Sequence, residues 1–281
     1  MRINHNMSAV FASRQMSEVE NRLDKSIERL SSGERINHAW DDASGLAVSE
    51  KMRSQITGLM QAEKNALNGV SLIQVAEGSY QQLTDIMQRI RVLAVQSANG
   101  IYTRSDRFLM QVEISQLIDE IDRAASSAEF NRLKMLRGDY SQKNKAGSMF
   151  FHVGANQNQR IPVYIATVSS KAFNLVNEAN KKRTISTVEG ANAMLGYVDE
   201  ALDRLNRQRV DLGAYYNRME HTIQAIAVTY ENLMAADSRI RDADMAAEMV
   251  EFAKNQVLIQ TSGAMVAQAN LKPKYLLKLF G

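Results

Sequence analysis

The sequence of 281 residues contains no cysteine and only two prolines. Without cysteine the chain can form neither a disulfide bond nor a thiolate metal site, and it has no cysteine nucleophile. Proline breaks helices, so its scarcity leaves long segments free to be helical. Aromatic residues make up 6% of the chain, which is little for two compact domains. These absences favour an extended all-α protein.

The sequence also lacks long hydrophobic runs and blocks of charge of one sign. No segment approaches the roughly 18 apolar residues of a membrane span, and the first residues are too polar for a cleaved secretion signal. The 34 lysines and arginines are interleaved with 31 aspartates and glutamates, whereas a nucleic-acid interface needs clustered basic residues. We therefore expect no nucleic-acid partner and no membrane insertion. By these features alone the protein would be cytoplasmic.

The sequence does contain a regular apolar stripe between Val188 and Ile240, with steps of three and four residues. Its members are Val188, Ala191, Leu195, Val198, Leu202, Leu205, Arg209, Leu212, Tyr216, Met219, Ile223, Ile226, Tyr230, Leu233, Asp237 and Ile240. This spacing predicts one face of a helix in a left-handed coiled coil. Arg209 and Asp237 are its two polar positions. They either fix the register of the helices or mark the entry of a neighbouring subunit.

A second stripe of the same period predicts a helix from about Ser44 to Asn99. Its members are Met52, Ile56, Leu59, Ala62, Ala66, Val70, Ile73, Ala76, Tyr80, Leu83, Met87, Ile90 and Ala94. This helix is the expected cover for the first stripe, and its alanines predict a close approach of the two. A third, shorter helix is predicted after a cap at Ser105 and Asp106. Short loops imply antiparallel neighbours.

The two ends of the chain carry thinner apolar stripes. The first helix is predicted from Ile3 to Leu30, and Ser31 to Gly33 ends it. Its apolar positions are Ala12, Met16, Val19, Leu23, Ile27 and Leu30. The last helix is predicted before Pro273. Its positions are Met245, Met249, Phe252, Gln256, Ile259 and Val266. Each helix would be marginal alone and needs a partner.

A strand signal interrupts the helical pattern between these segments. Residues 149–153 and 161–165 are apolar, β-branched or aromatic runs joined by a polar segment, which predicts a β-hairpin. Pro162 suits an edge strand. We take this as the one convincing hairpin, so the predicted fold class is all-α with one small β-hairpin.

The residues indicate no catalytic, cofactor-binding or metal site. The four histidines lie in different predicted elements, and none has a second ligand at helical spacing. The aspartates at 41 and 42, and those at 242 and 244, stand at predicted helix starts, where carboxylates accept hydrogen bonds from free backbone N–H groups. We found no glycine-rich phosphate loop and no nucleophile elbow. We therefore expect a protein that is not an enzyme and uses no cofactor.

Several motifs closely resemble those of bacterial flagellins. They are Leu30–Asn37, Asp41–Ser49, Arg89–Gly100, Phe130–Asn131 with Lys134 and Leu136, Val153–Asn156, Leu212–Ala214, Asn217–Glu220, Glu231–Leu233, Ser238–Asp242 and Ala267–Asn270. Only about 50 residues lie between the two helical parts, roughly from 138 to 187, so the resemblance is to a core-only flagellin. Residues Ile3–Ala9, Gly45–Arg53 and Ser97–Tyr102 look most like those of the spirochaete periplasmic core-filament flagellins.

The resemblance implies an elongated antiparallel coiled-coil-like bundle whose N- and C-terminal helices are paired. Residues 1–43 and 241–281 would be the two halves of an inner-tube region. Residues 44–187 would be the first part of a rod domain, with the hairpin near 149–165, and residues 188–240 its returning helix.

The resemblance also implies a function. The chain would self-assemble into the helical flagellar filament used for motility, after export by the flagellar type III apparatus. Its place would be a periplasmic flagellum, or alternatively the cell exterior. Expected partners are further copies, other filament or sheath proteins, and the export chaperone, cap and hook-junction proteins. The alternative is a hook–filament junction protein of related fold.

One set of surface positions is also implied by the family. In flagellins of other bacteria an innate immune receptor contacts the outer surface of the rod. The matching positions in this chain are Arg89, Leu93 and Glu113.

Overall fold

The computed structural model describes residues 5–141, 148–177 and 181–280, with only the backbone given for Lys274 and residues 276–280. Ile3 and Asn4, at the predicted start of the first helix, lie outside the described residues. The helices are α1 (Met7–Ser32), α2 (Ala43–Ala98), α3 (Arg104–Ser127), α4 (Val188–Arg241) and α5 (Met245–Phe280). The strands are β1 (Glu129–Phe130), β2 (Leu133–Lys134), β3 (Met149–His152) and β4 (Arg160–Val163). The predicted all-α class is confirmed.

The chain divides into two compact units. The terminal unit consists of Met1–Ile56 and Glu231–Gly281, and the middle unit consists of Thr57–Tyr230. α2 and α4 each contribute residues to both units. The middle unit holds the main hydrophobic core, and α1 and α5 belong to the terminal unit.

The core of the middle unit follows a strict seven-residue repeat. The repeat consists of the buried residues Leu59, Ala66, Ile73, Tyr80, Met87 and Ala94 on α2, and of Ala191, Val198, Leu205, Leu212, Met219 and Ile226 on α4. The ion pairs Arg91–Asp199 and Glu77–Arg209 show that the two helices run antiparallel. A seven-residue repeat keeps both stripes facing each other along the helices, as the sequence predicts.

The phase of the α4 stripe differs in part from the prediction. Met194 and Ala201 are buried, whereas Leu195 and Leu202, which we placed in the seam, are only half-buried. The segment that follows β4 packs on the Met194 side of α4, where the Arg183 guanidinium lies over the Tyr197 ring at 3.7 Å. The buried stripe of α4 is therefore wider on that side than it would be if α4 packed against α2 alone.

The predicted close approach of α2 and α4 is wrong. Within the described residues, α1 and α5 are the only helices whose Cα atoms come repeatedly within 8 Å of each other. The alanines of α2 alternate with large, fully buried knobs such as Tyr80, Leu83 and Met87. Those side chains hold the backbones of α2 and α4 apart, because a buried side chain needs its full volume.

Helix ends follow the capping signals, with one correction. α1 ends at Gly33, which has φ 73°, a left-handed conformation that glycine adopts without strain. Asp42 precedes α2 and accepts a hydrogen bond from the Gly45 N–H at 2.9 Å. That bond and the Ser44 hydroxyl lower the pKa of the Asp42 carboxyl group.

The cap of α3 is Thr103 and not Ser105. Asp106 completes a capping box with Thr103, whose hydroxyl lowers the pKa of the carboxyl group.

The predicted hairpin is present, and a second one was missed. β3 pairs with β4 in antiparallel register from Met149↔Val163 to His152↔Arg160. β1 and β2 form a smaller hairpin around Asn131 and Arg132, which have φ 48° and 65°. Two left-handed residues in a two-residue loop are typical of a tight hairpin turn. Asn131 was the available signal, but each strand is too short to show an alternating pattern.

The β3–β4 hairpin rests on α2 through three contacts. A Cβ atom at Gly58 would lie 3.0 Å from the Ala155 Cβ and 3.2 Å from the Ala155 Cα, so glycine permits the turn to touch the helix. Asn65 Nδ2 donates to the His152 carbonyl oxygen at 3.1 Å. Farther along, Gly69 rather than Val70 occupies the seam, with the Phe151 and Met219 side chains against it.

Two glycines of α2 test this contact. Gly78→Ala is expected to raise the free energy of unfolding by about 0.5–1 kcal/mol, because alanine favours a helix and no atom lies within 4 Å of the new Cβ. Gly58→Ala gains the same propensity but must displace the Ala155 backbone, so we expect a net loss of about 1 kcal/mol. Urea unfolding followed by circular dichroism measures both. Equal stabilisation by the two variants would contradict the contact.

Candidate functional site

The terminal unit is built on α1 and α5, which pack antiparallel. Near one end, Asn6 Nδ2 donates to the Ala269 carbonyl oxygen at 2.8 Å. At the other end, Arg29 Nη1 lies 3.7 Å from Glu248 Oε2. The expected pairing of the N- and C-terminal helices is therefore confirmed.

Small and polar side chains occupy the interface between α1 and α5. Its buried residues are Val19, Ser26, Asn255 and Ala269. Small side chains let helix backbones approach closely, and they leave little room for large ones. The interface of this pair is therefore narrow.

This narrow interface corrects some positions of both predicted stripes and leaves the others buried or half-buried. Ile27, which we placed in the seam, is 47% exposed, and its neighbour Ser26 is buried instead. Met245, Met249 and Gln256 are likewise exposed. α5 also continues through Pro273 to Phe280, beyond the predicted end. Leu23, Leu30, Phe252 and Ile259 stay half-buried, whereas Ile27, Met245 and Met249 face outward.

Asn255 is an unusual member of this interface. Its side chain is fully buried, and neither Nδ2 nor Oδ1 has a hydrogen-bond partner among the described residues. A buried polar group without a partner destabilises a fold by about 1–3 kcal/mol. The α1–α5 pair of a single subunit is therefore weaker than its packing alone would suggest.

Many apolar side chains of α1 and α5 face outward. The exposed large ones are Met7, Val10, Phe11, Ile27, Met245, Met249, Val250, Val257, Met265, Leu271 and Tyr275. Among the described side chains of these helices, only Val19 and Ala269 are buried hydrophobic residues. Contiguous exposed apolar surface marks a site of association. We call these exposed apolar side chains of α1 and α5 the apolar face of the terminal unit.

An ionic cluster lies at the connections of the terminal unit. It consists of Glu34, Glu50, Arg53, Asp237 and Arg241. Arg241 Nε lies 2.8 Å from Glu34 Oε2, and its Nη1 lies 2.9 Å from Glu50 Oε1. Arg53 Nη2 lies 2.9 Å from Glu34 Oε1, and Arg53 Nε lies 3.4 Å from Asp237 Oδ2. Arg53 therefore links these two carboxylates. Burial opposes the charge on Arg241, but the hydrogen bonds to Glu50 and Glu34 outweigh it and raise the pKa.

Backbone hydrogen bonds reinforce this ionic cluster. The Arg35 N–H donates to the Arg241 carbonyl oxygen at 2.6 Å, and the Ala243 N–H donates to the Gly33 carbonyl oxygen at 2.9 Å. The loop after α1 is thereby tied to the loop after α4. Sequence reasoning missed the cluster because its members are far apart in the chain. The polar Asp237 within an apolar stripe was the only signal of it.

Both polar positions of the α4 stripe have partners within the chain. Asp237 Oδ1 accepts from the Ser49 hydroxyl at 2.6 Å, in addition to its contact with Arg53. Arg209 Nε lies 2.8 Å from Glu77 Oε1 of α2 in the middle unit. Both pairs connect α4 to α2, so each supports a particular register of the two helices.

The positions that match receptor contacts differ in their accessibility. Arg89 and Glu113 are exposed and form an ion pair with an N–O distance of 2.7 Å. Leu93 is 3% exposed and belongs to the core. Only the first two therefore present side chains at the surface of the single subunit.

Across the described part of the chain, no helix is both long and apolar enough to cross a membrane. The same residues contain no group of side chains arranged to hold a metal ion.

Two family models match the chain. The model of the bacterial flagellin N-terminal helical region matches residues 3–141, and that of the C-terminal helical region matches residues 195–280. The chain belongs to the bacterial flagellin family. The matched segments contain α1, α2, α3, α5 and most of α4, so the family assignment and the fold agree.

Curated relatives of this flagellin are similar over the full chain. It is 54% identical to flagellin FlaB1 of Treponema pallidum, with 99% of both chains covered. It is 52% identical to the flagellar filament core protein flaB2 of Brachyspira hyodysenteriae, again over 99% of both. The flagellin is therefore a structural subunit of a flagellar filament that serves motility, and it belongs to a spirochaete-type periplasmic flagellum. This corrects the cytoplasmic location that composition alone suggested.

A solved structure shares the fold at low sequence identity. A flagellar hook-associated protein from Vibrio parahaemolyticus superposes with a TM-score of 0.58 at 13% identity, covering 72% of this flagellin and 100% of that chain. This likeness shows the fold alone. Because the close relatives are filament proteins, the hook–filament junction alternative is not favoured.

Proposed function

We propose that this flagellin polymerises with copies of itself mainly through the apolar face of its terminal unit. The exposed apolar side chains of α1 and α5 carry this proposal. Burying an apolar side chain at an interface is favourable by about 1.5–3 kcal/mol, so several such residues together supply a strong contact. A head-to-tail contact that does not close into a ring generates an open helical filament.

In this proposal the terminal and the middle segments of the chain form different regions of the filament. Residues 1–43 and 241–281 supply the inner-tube region of the filament, and residues 44–187 and 188–240 supply its rod domain. The unsatisfied Asn255 supports this division, because it weakens the α1–α5 pair of a free subunit. Contacts with neighbouring subunits then compensate for that weakness in the filament.

Finer partners follow from the family resemblance. The subunit passes through the flagellar type III export apparatus with an export chaperone. It then meets the cap and hook-junction proteins, and other filament or sheath proteins surround or join it. In all of these contacts it acts as a structural protein and not as an enzyme. Recognition of Arg89, Leu93 and Glu113 by an innate immune receptor stays a prediction. Of these three side chains, Arg89 and Glu113 are accessible on the single subunit.

Substitutions on the apolar face test the polymerisation proposal. Val257 is 60% exposed on α5, and Val257→Ser is expected to raise the critical concentration for polymerisation about tenfold, because it removes more than about 1.4 kcal/mol of burial per subunit. Sedimentation and electron microscopy of the purified protein measure the polymer. Deletion of residues 1–32, which removes α1, is expected to leave a folded middle unit and no filaments.

The matched control is Val210→Ser on α4 of the middle unit, where Val210 is 71% exposed. We expect its critical concentration to stay close to that of the unmodified protein. If both valine variants shifted it equally, or if the deletion variant still formed filaments, the terminal unit would not be the main contact.

A further inference from the structure

Asparagine is followed directly by glycine twice in this chain, at Asn68–Gly69 and at Asn99–Gly100. In such a pair the glycine nitrogen can attack the asparagine side-chain amide, because glycine has no Cβ atom to obstruct the approach. The attack requires a backbone that can leave the helical conformation and a nitrogen that is not engaged in a hydrogen bond. The two pairs differ in both respects.

Asn68–Gly69 lies in the interior of α2. Gly69 is buried against the Phe151 and Met219 side chains. In an α-helix interior the backbone N–H is bonded to the carbonyl oxygen four residues earlier. The Gly69 nitrogen is therefore held away from the Asn68 side chain as long as the helix is intact.

Asn99–Gly100 lies just beyond the end of α2, in an exposed turn. Among the described residues, no acceptor receives a hydrogen bond from the Gly100 N–H. Both residues are exposed, so water and solvent base can reach them. The nitrogen that must react is therefore free and accessible.

Two hydrogen bonds prepare Asn99 for the reaction. Arg107 Nη2 donates to the Asn99 backbone oxygen at 3.1 Å, and Arg107 Nε donates to the Ser97 backbone oxygen at 2.9 Å, which holds the guanidinium in place. A cation on that oxygen withdraws electrons from the peptide group and makes the Gly100 N–H more acidic. The Ile101 N–H donates to Asn99 Oδ1 at 3.3 Å. That bond folds the side-chain amide back along its own backbone and stabilises negative charge on Oδ1.

We propose that Asn99 is a site of spontaneous deamidation in the folded flagellin. The Gly100 nitrogen gives its proton to solvent base and forms a bond to Asn99 Cγ. The Cγ–Nδ2 bond then breaks, and ammonia leaves to give a cyclic imide. Water adds to either imide carbonyl and opens the ring to aspartate or isoaspartate. One water is consumed and one ammonia is released, and nothing is oxidised or reduced.

The product changes the surface at the connection between α2 and α3. A neutral amide becomes a carboxylate in the residue whose backbone oxygen accepts from the Arg107 guanidinium, two positions before the exposed Ile101. The isoaspartate product also lengthens the backbone by one atom at this turn. The reaction requires only the folded subunit, and it would mark old subunits irreversibly with a new charge.

The unmodified protein provides its own comparison. After incubation at mildly alkaline pH, tryptic peptides 92–104 and 65–89 separate the two asparagines for mass spectrometry, and isoaspartate is identified by enzymatic methyl transfer. Deamidation at Asn99 is expected to be at least about tenfold faster than at Asn68, which corresponds to a barrier difference of about 1.4 kcal/mol or more. In urea, where both sites are unfolded, the two rates should become similar. Equal rates in the folded protein would overturn the proposal, as would a large difference that persisted in urea.

Variants test the arginine separately. Arg107→Met removes the cation from the Asn99 carbonyl and is expected to slow deamidation several-fold. The control Arg104→Met removes a neighbouring cation that makes no hydrogen bond to Asn99. Circular dichroism shows whether each variant stays folded, and the Asn68 rate reports any loosening of α2. If Arg107→Met and Arg104→Met gave the same Asn99 rate, the role assigned to Arg107 would be wrong.

Discussion

Replacing Leu212 by alanine is expected to lower the free energy of unfolding of this flagellin by about 3 kcal/mol. Leu212 is 1% exposed and lies at the middle of the seven-residue repeat of α4. Truncating a leucine in such a position removes burial and leaves a cavity, which together destabilise by about 2.7–5 kcal/mol in well-packed cores. The low end applies if neighbouring methionines, such as Met219, relax into the space.

Val210→Ala is the matched control for Leu212→Ala. It lies two residues away on the same helix and is exposed, so its effect should stay within about 0.5 kcal/mol. Urea unfolding of the depolymerised protein, followed by far-ultraviolet circular dichroism, measures both changes. Similar effects for the two variants would show that the α4 stripe does not have this register.

Replacing Arg241 by methionine is expected to destabilise the terminal unit by about 2 kcal/mol. The Arg241 side chain is 12% exposed, and it neutralises the half-buried Glu34. Removing one partner of a buried ion pair leaves the other without compensation, which costs more than the pair itself contributes. Arg53 still contacts Glu34 in the variant, so the loss should fall below the full value for an isolated buried pair.

The measurement for Arg241→Met is hydrogen exchange of amides in α1 and α5. The ionic cluster ties the loop that follows α1 to the loop that precedes α5, so its loss should loosen both helices. The matched control is Arg123→Met, which removes an exposed ion pair with Glu120 on α3 and should leave the exchange of the α1 and α5 amides unchanged, because exposed ion pairs contribute little. Glu34→Gln combined with Arg241→Met should be less harmful than the sum of the two single changes. Additive effects would argue against a direct interaction.

The heptad stripes illustrate what local sequence pattern can predict. Leu205, Met219 and Ile226 were assigned to the buried face of α4 because helix geometry alone places residues three and four apart on one side. Capping is similarly local, and Asp42 and Gly33 lie at the predicted helix ends. Such features depend on neighbours within a few residues. Sequence therefore predicts them without knowledge of the rest of the fold.

The errors lie where a third partner or a neighbouring backbone intervenes. Met194 is buried because the segment after β4 packs beside α4, and Ile27 is exposed because α5 approaches too closely to admit it. Neither effect is visible in the period of the sequence. The ionic cluster was missed for the same reason, since Glu34 and Arg241 are brought together only by the fold.

The sequence by itself determined the all-α class, the limits of α2 and α4, the end of α1, the hairpin at β3–β4 and, through its motifs, the flagellin family. These follow from periodicity, caps and local residue identity, which act over short distances along the chain. Only the tertiary structure decided which side chains the paired ends bury, which apolar residues they leave outside and which Asn–Gly pair is accessible. Those outcomes depend on backbone separation and on contacts between residues far apart in the chain.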